Sequence, residues 1–135
     1  MKELILEAKT DNLDKVIAFL EEQLESMGCS MKLQMQLDVA VEEIFVNIAS
    51  YAYGSGTGDA LIRINHETDP ERVVITFIDE GVPYDPLKKE DPDVSLSAEE
   101  REIGGLGIFM VKKTMDDMSY EWLDGKNILT LTKNF

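Results

Sequence analysis

Two pairs of short apolar runs, each pair joined by a tight turn, constrain this chain more than any other feature. Leu61-Ile62-Arg63-Ile64-Asn65-His66 and Val73-Val74-Ile75-Thr76-Phe77-Ile78 read as strands, with Thr68-Asp69-Pro70-Glu71 as the turn between them. Residues 119–123 and 128–132 read as a second pair around the hairpin dipeptide Asp124-Gly125. A tight turn joins antiparallel neighbours, whereas a parallel pair needs a long crossover. The chain is thereby directed to an α+β architecture: a mostly antiparallel sheet with helices as the second layer.

The helical layer is legible in the spacing. Leu13, Val16, Ile17, Leu20 and Leu24 recur at three and four residues, predicting a helix over about 12–27 that Asp11 caps and Gly28 ends. Ser30 opens a second helix reaching about Tyr53, with the stripe Leu33, Leu37, Ala40, Val41, Ile44, Phe45 and Ile48. Gly54-Ser55-Gly56-Thr57-Gly58 breaks it. Residues 2–8 read as an opening strand. Gly104-Gly105-Leu106-Gly107 leads into a third helix carrying Ile108, Val111 and Met115. Between them, 83–103 is rich in carboxylates, carries Pro83, Pro86 and Pro92, and has no periodicity. A loop of about 20 residues within a compact domain is usually functional or mobile.

At 135 residues the chain has room for one domain, 1–135. Its 27 Asp and Glu against 13 Lys and Arg leave a net charge of −14, which repels nucleic acid and anionic membrane surfaces alike. Cys29 is the single cysteine and His66 the single histidine, so a disulfide framework and a paired-histidine metal motif are excluded. The acidic N-terminus and the lack of a long apolar run point to an intracellular, cytoplasmic domain. Met27, Met31 and Met35, near the helix junction, read as core more readily than as a partner surface.

Three features carry chemistry, each with a plainer reading. In Glu42-Glu43-Ile44-Phe45-Val46-Asn47, Glu43 and Asn47 lie one turn apart on one helix face with Tyr51 a further turn on, while Glu42 is roughly 140° from Asn47. The plain reading is a solvated face. Asp79-Glu80-Gly81-Val82-Pro83 ends a strand, either as an ordinary turn or as a fixed acceptor for a ligand N–H. Gly104-Gly105-Leu106-Gly107 at a helix start is either a hinge or a place where phosphate meets free N–H groups. It lacks the Lys-Ser or Lys-Thr of a P-loop, and no strand precedes it as in a dinucleotide fingerprint.

The order of the three resembles the ATP-binding domain of the GHKL superfamily, which includes gyrase, the heat-shock chaperone ATPase, histidine kinases and mismatch-repair MutL. Glu43 to Asn47 looks like its N box, Asp79-Glu-Gly-Val-Pro its G1 box and Gly104-Gly-Leu-Gly its G2 box. The short chain and the string Asp79-Glu-Gly-Val-Pro-Tyr-Asp-Pro86 are similar to the anti-sigma-factor serine kinases of bacterial stress and sporulation pathways, the RsbW/SpoIIAB type. The resemblance implies a Bergerat-type two-layer sandwich with about three helices and a mobile ATP lid over about 83–103. It implies ATP or ADP as ligand, Mg²⁺ held through Asn47, Glu43 as general base, and Asp79 as acceptor for the adenine amino group. Gly81 would let the base lie against the backbone, and Gly105, Leu106 and Gly107 would line the phosphate end. The implied partners are a STAS-domain anti-anti-sigma protein that is phosphorylated, a sigma factor, and a second copy in a homodimer.

The sequence departs from that branch at three places: Tyr51 stands where histidine is common, Lys126-Asn127 where Gly-Thr is common, and Ile103 where some relatives carry a basic residue that Arg101 would have to replace. Asn127 is the candidate to take over the threonine's contact near the base. The scarcity of cations in the motifs keeps a second reading open, a nucleotide-dependent binding module without phosphotransfer. A histidine-kinase catalytic domain is a third reading, disfavoured by the lack of a phosphoacceptor-histidine segment.

Overall fold

The computed structural model describes residues 1–88 and 105–135. Among the described residues, five strands form one sheet: β1 (Lys2–Glu7), β2 (Asp59–Glu67), β3 (Arg72–Asp79), β4 (Asp117–Leu123) and β5 (Lys126–Asn134). Their spatial order is β1-β2-β3-β5-β4, and every neighbouring pair is antiparallel. Three helices among the described residues, α1 (Leu13–Ser26), α2 (Met31–Tyr51) and α3 (Gly105–Thr114), complete an α+β sandwich, as the paired strands predict.

Burial alternates along β2, β3 and β5, the signature of a sheet covered on one face. Ile62, Ile64, Val73, Ile75, Phe77, Leu129 and Leu131 form its buried side. Against them pack Val16, Leu20 and Leu24 of α1 and the full α2 stripe from Leu33 to Phe45. Even the opening strand alternates: Leu4 and Leu6 pack on the core while Ile5 is exposed. Asp124 and Gly125 both take positive φ, as the two-residue hairpin turn demands. Among the described residues, no helix is long and apolar enough to cross a membrane.

Helix boundaries follow local hydrogen bonding more closely than periodicity. Ser30 caps α2 as expected, accepting from Leu33 N at 3.2 Å, and Gly28 ends α1 with φ +73. Asp11, however, caps nothing. It sits in a 3-10 turn, Thr10–Asn12, and α1 starts after Asn12, whose side chain instead donates to the Glu7 carbonyl at 2.8 Å. The competing bond back to β1 removes the cap. The methionine reading also divides. Met27 packs on the core, but Met31 and Met35 are 72% and 61% exposed, because they lie about 200° from Leu33 and Leu37 on α2. The segment expected to act as a lid is described only as far as Lys88; its remainder, with Arg101, Ile103 and Gly104, lies outside the described residues.

The α1–α2 contact contains an acidic cluster. Asp38 lies beside Glu21 of α1 with Glu42 one turn on, and its Oδ1 is buried without a partner. Burial, then the charge and the shared hydrogen bond of Glu21, then Glu42, raise its carboxyl from 3.8 to about 6. A folded-state value above the unfolded one means that the stabilisation from protonation is complete below about 3.8 and is lost as pH rises through about 6. Asp38→Asn is therefore expected to stabilise the fold at pH 8 by about 1 kcal/mol, solvent screening included, or roughly 3 °C in Tm. The gain should fall by about half at pH 5, which lies midway between about 3.8 and about 6, and vanish below that window; thermal melts at both pH values check it, and a gain equal at both would contradict the assignment.

Candidate functional site

The α2 helix presents Glu43, Asn47 and Tyr51 on successive turns, because its core stripe occupies the other side. Glu43 is exposed, whereas Asn47 is half-buried and lines a cavity of about 370 Å³. Glu42 faces away, into the acidic cluster with Asp38. Met31, Met35 and Val39 continue the row of Glu43 towards the start of α2, all more than half exposed.

The cavity opens between α2 and the ends of β3 and β5. Ile44, Ile48, Phe77 and Leu129 line it with apolar surface, Tyr51, Tyr84 and Tyr120 add aromatic rings, and Asn47, Asp79 and Asn127 are its polar groups. A slot of this size, mostly apolar with a few convergent polar groups, matches the usual character of a small-molecule site.

Asp79 ends β3, the central strand of the sheet, and is only 5% exposed. Its Oδ1 accepts from the Gly81 backbone N–H at 2.9 Å, an Asx turn that holds the carboxylate in place. The same Oδ1 accepts from Asn127 Nδ2 at 2.9 Å. Oδ2 has no hydrogen-bond partner among the described residues, which leaves one carboxylate oxygen for a ligand donor. Asn127 also donates to the Val82 carbonyl at 2.9 Å and accepts, on Oδ1, from the Tyr84 N–H at 3.1 Å and from the Tyr120 hydroxyl. Burial, which outweighs the lowering effect of a backbone bond at Tyr84, pushes the Tyr120 phenol up, with the charges of Asp85 and Asp79 adding to the rise. The phenol thus stays a donor.

Gly81 is not in the cavity wall in the manner expected of a base-contacting glycine. A Cβ built on it would stand 2.1 Å from the Ala52 carbonyl oxygen at the end of α2, and Val82 N donates to that oxygen at 2.8 Å. Its missing side chain lets β3's exit press against α2. Gly107 plays a comparable part at α3: a Cβ there would stand 2.1 Å from Glu43 Oε2 and 2.8 Å from Cδ. The Glu43 carboxylate therefore lies on the first turn of α3, which Gly105 and Leu106 open. The structure thus brings Asn47, Asp79 and Asn127 to one cavity and joins Glu43 to Gly107 one turn of α2 away.

Two residues escaped the sequence reading. Tyr53 accepts from Glu80 N at 2.9 Å and donates to the Asp59 carbonyl at 2.5 Å, with its ring over Gly58, so it ties the end of α2 to β2 and to the residue after Asp79. No local pattern marks it. Tyr120 had a readable signal: the Asp124-Gly125 turn sets Tyr120 opposite Leu129 and Trp122 opposite Asn127.

Comparisons with known proteins bear on the family and the fold. Residues 6–133 match the family model described as a histidine kinase-like ATPase domain. The serine/threonine-protein kinase BtrW of Bordetella bronchiseptica is 31% identical over 105 residues, 78% of this chain and 73% of that protein. The serine-protein kinase RsbW of Listeria monocytogenes is 27% identical over 106 residues, 76% of this chain and 67% of that protein. In a crystal structure of RsbU and RsbW domains from Mycobacterium tuberculosis, a similar fold covers 98% of this chain with a TM-score of 0.62 at 17% identity. The chain spans 32% of the length of that protein.

Proposed function

The chain belongs to the family of histidine kinase-like ATPase domains, and from that premise we propose that residues 1–135 form one ATP-binding domain acting as a serine/threonine protein kinase. Its substrate is a STAS-domain anti-anti-sigma protein, from which phosphorylation releases it, and in its other state it holds a sigma factor inactive, as the anti-sigma factor of a cytoplasmic partner switch. The observation that carries this reading is the Glu43 carboxylate held on the first turn of α3, one α2 turn from Asn47 and the cavity that ends at Asp79.

In this reading the adenine ring lies in the apolar slot and its amino group donates to Asp79 Oδ2. The phosphates run towards α3, where unpaired N–H groups and the helix dipole receive negative charge. Glu43 takes the proton from a serine hydroxyl as that oxygen bonds to the γ-phosphorus and the bond to ADP breaks. Asn47 fits a hard cation: its amide lines the cavity without a hydrogen-bond partner among the described residues. A single protein oxygen suits Mg²⁺, which keeps waters and phosphate oxygens as its other ligands. Bound there, Mg²⁺ would supply neutralisation of phosphate charge.

Gly107→Ala separates stability from chemistry. The added methyl meets the flexible tip of an exposed glutamate, so folding should be unchanged or improved by roughly 0.5–1 kcal/mol, the usual gain for Gly to Ala inside a helix. The displaced carboxylate should nevertheless lower phosphotransfer by about 10²-fold. A melt and a rate measured on the same sample check both halves.

The second reading, nucleotide-dependent binding without phosphotransfer, is favoured by one observation: no Lys or Arg lines the cavity among the described residues. Intact-protein mass spectrometry of a STAS protein encoded beside this one, incubated with the chain and Mg-ATP, tests the two. A gain of one phosphoryl group is expected. A nucleotide-dependent complex without that gain would overturn the kinase reading for the pair and leave the binding module.

A further inference from the structure

We infer that Asn127 is a positioning residue for base recognition and makes no contact of its own with the base; this rests on the nucleotide-site reading above. Its carboxamide has two N–H donors and one oxygen with two lone pairs. Both donors are engaged, by Asp79 Oδ1 and the Val82 carbonyl, and both lone pairs, by the Tyr84 N–H and the Tyr120 hydroxyl. Nothing remains to offer a ligand.

The amide orientation follows from its neighbours. A backbone carbonyl and an acceptor carboxylate oxygen lie on one side, and a backbone N–H on the other. The flipped amide would set acceptor against acceptor and donor against donor. Asparagine matches this arrangement, whereas a threonine hydroxyl supplies one donor and cannot span both sides. The side chain is 7% exposed, so an unmatched partner would be left without water.

Two consequences follow for the site. With Oδ1 of Asp79 committed to Gly81 N and Asn127, the carboxylate cannot rotate freely, and Oδ2 stays as the oxygen for a donor on the base. Val82 and Tyr84, which both line the cavity, are pinned to β5 by the same amide. Base recognition and the path of the chain out of β3 thus share one side chain.

The test uses the base itself as probe: affinities for ADP and for inosine diphosphate, measured by titration calorimetry on the full chain. Inosine presents a carbonyl where adenine has its amino group, so the native protein should favour ADP by at least about tenfold. Asn127→Ala should weaken ADP binding and bring the ADP preference below about threefold, since Asp79 is no longer held. A structural defect alone would weaken both nucleotides equally and leave the ratio intact; that result overturns the inference. Asn127→Thr serves if the alanine variant does not fold. It returns a donor to Asp79, so the ADP preference should be largely restored, while hydrogen exchange at the Tyr84 amide should be faster than in the native protein. An exchange rate unchanged in that variant also overturns the inference. Failure of the native protein to bind ADP at all would instead bring down the nucleotide-site reading and this inference with it, an outcome distinct from native binding with an unmoved ratio.

Discussion

Glu43→Ala is expected to lower the rate of phosphotransfer to a serine-bearing partner by between about 10² and 10⁴, the usual contribution of a positioned general base. Nucleotide affinity should stay within about threefold of native, because Glu43 is exposed and the cavity that would hold the base is lined by other residues. Stability should also hold. Removing an exposed glutamate in a helix that is anchored by its buried opposite face changes folding by no more than about 0.5 kcal/mol. Single-turnover transfer, followed with saturating Mg-ATP, isolates the chemical step. A variant that transfers at the native rate would remove Glu43 from the role of base. A variant that loses nucleotide as well would move its contribution to binding, which the geometry does not predict.

Gly81→Ala should have the largest effect on stability of any small substitution near the site. The new methyl would lie 2.1 Å from the Ala52 carbonyl oxygen and 2.5 Å from its carbon, and both atoms belong to backbone. Neither can swing aside as a side-chain tip does. Relief requires β3's exit to move from α2, which strains or breaks the Val82 N to Ala52 O bond of 2.8 Å. Overpacking and the lost bond together amount to about 3 kcal/mol, or roughly 10 °C in Tm for a chain of this length. Nucleotide binding should weaken too, since Val82 moves with the backbone. Gly107→Ala is the internal comparison: the same added methyl and the same 2.1 Å separation, but against a flexible carboxylate. If both variants melt alike, the distinction between backbone and side-chain neighbours is wrong.

Much of the site was legible because its parts are periodic or local. Glu43, Asn47 and Tyr51 share a row by helix geometry alone, and the same spacing places Glu42 elsewhere. Asp79 and Gly81 form an Asx turn within three residues of chain. What was not legible lies in contacts between distant segments. Asp11 satisfies the composition of a cap, but Asn12 is drawn to the Glu7 carbonyl and the helix starts later. Met31 and Met35 look like core by hydrophobicity and are exposed by phase, about 200° from the stripe. The departure at Asn127 reads as a missing threonine in sequence; only its neighbours disclose an amide with four partners.

The sequence by itself determined the antiparallel sheet, the helices that cover it and the row of side chains on α2. Turn length and hydrophobic period act over a few residues and leave little choice. Tertiary structure alone decided which atoms of those residues are free. Gly107 brings Glu43 onto α3, Gly81 brings β3 onto Ala52, and Asn127 occupies one oxygen of Asp79 while the other has no partner among the described residues. Such assignments depend on distances of a few ångströms between segments far apart in the chain. Packing of the whole sandwich sets those distances, and no local pattern encodes them.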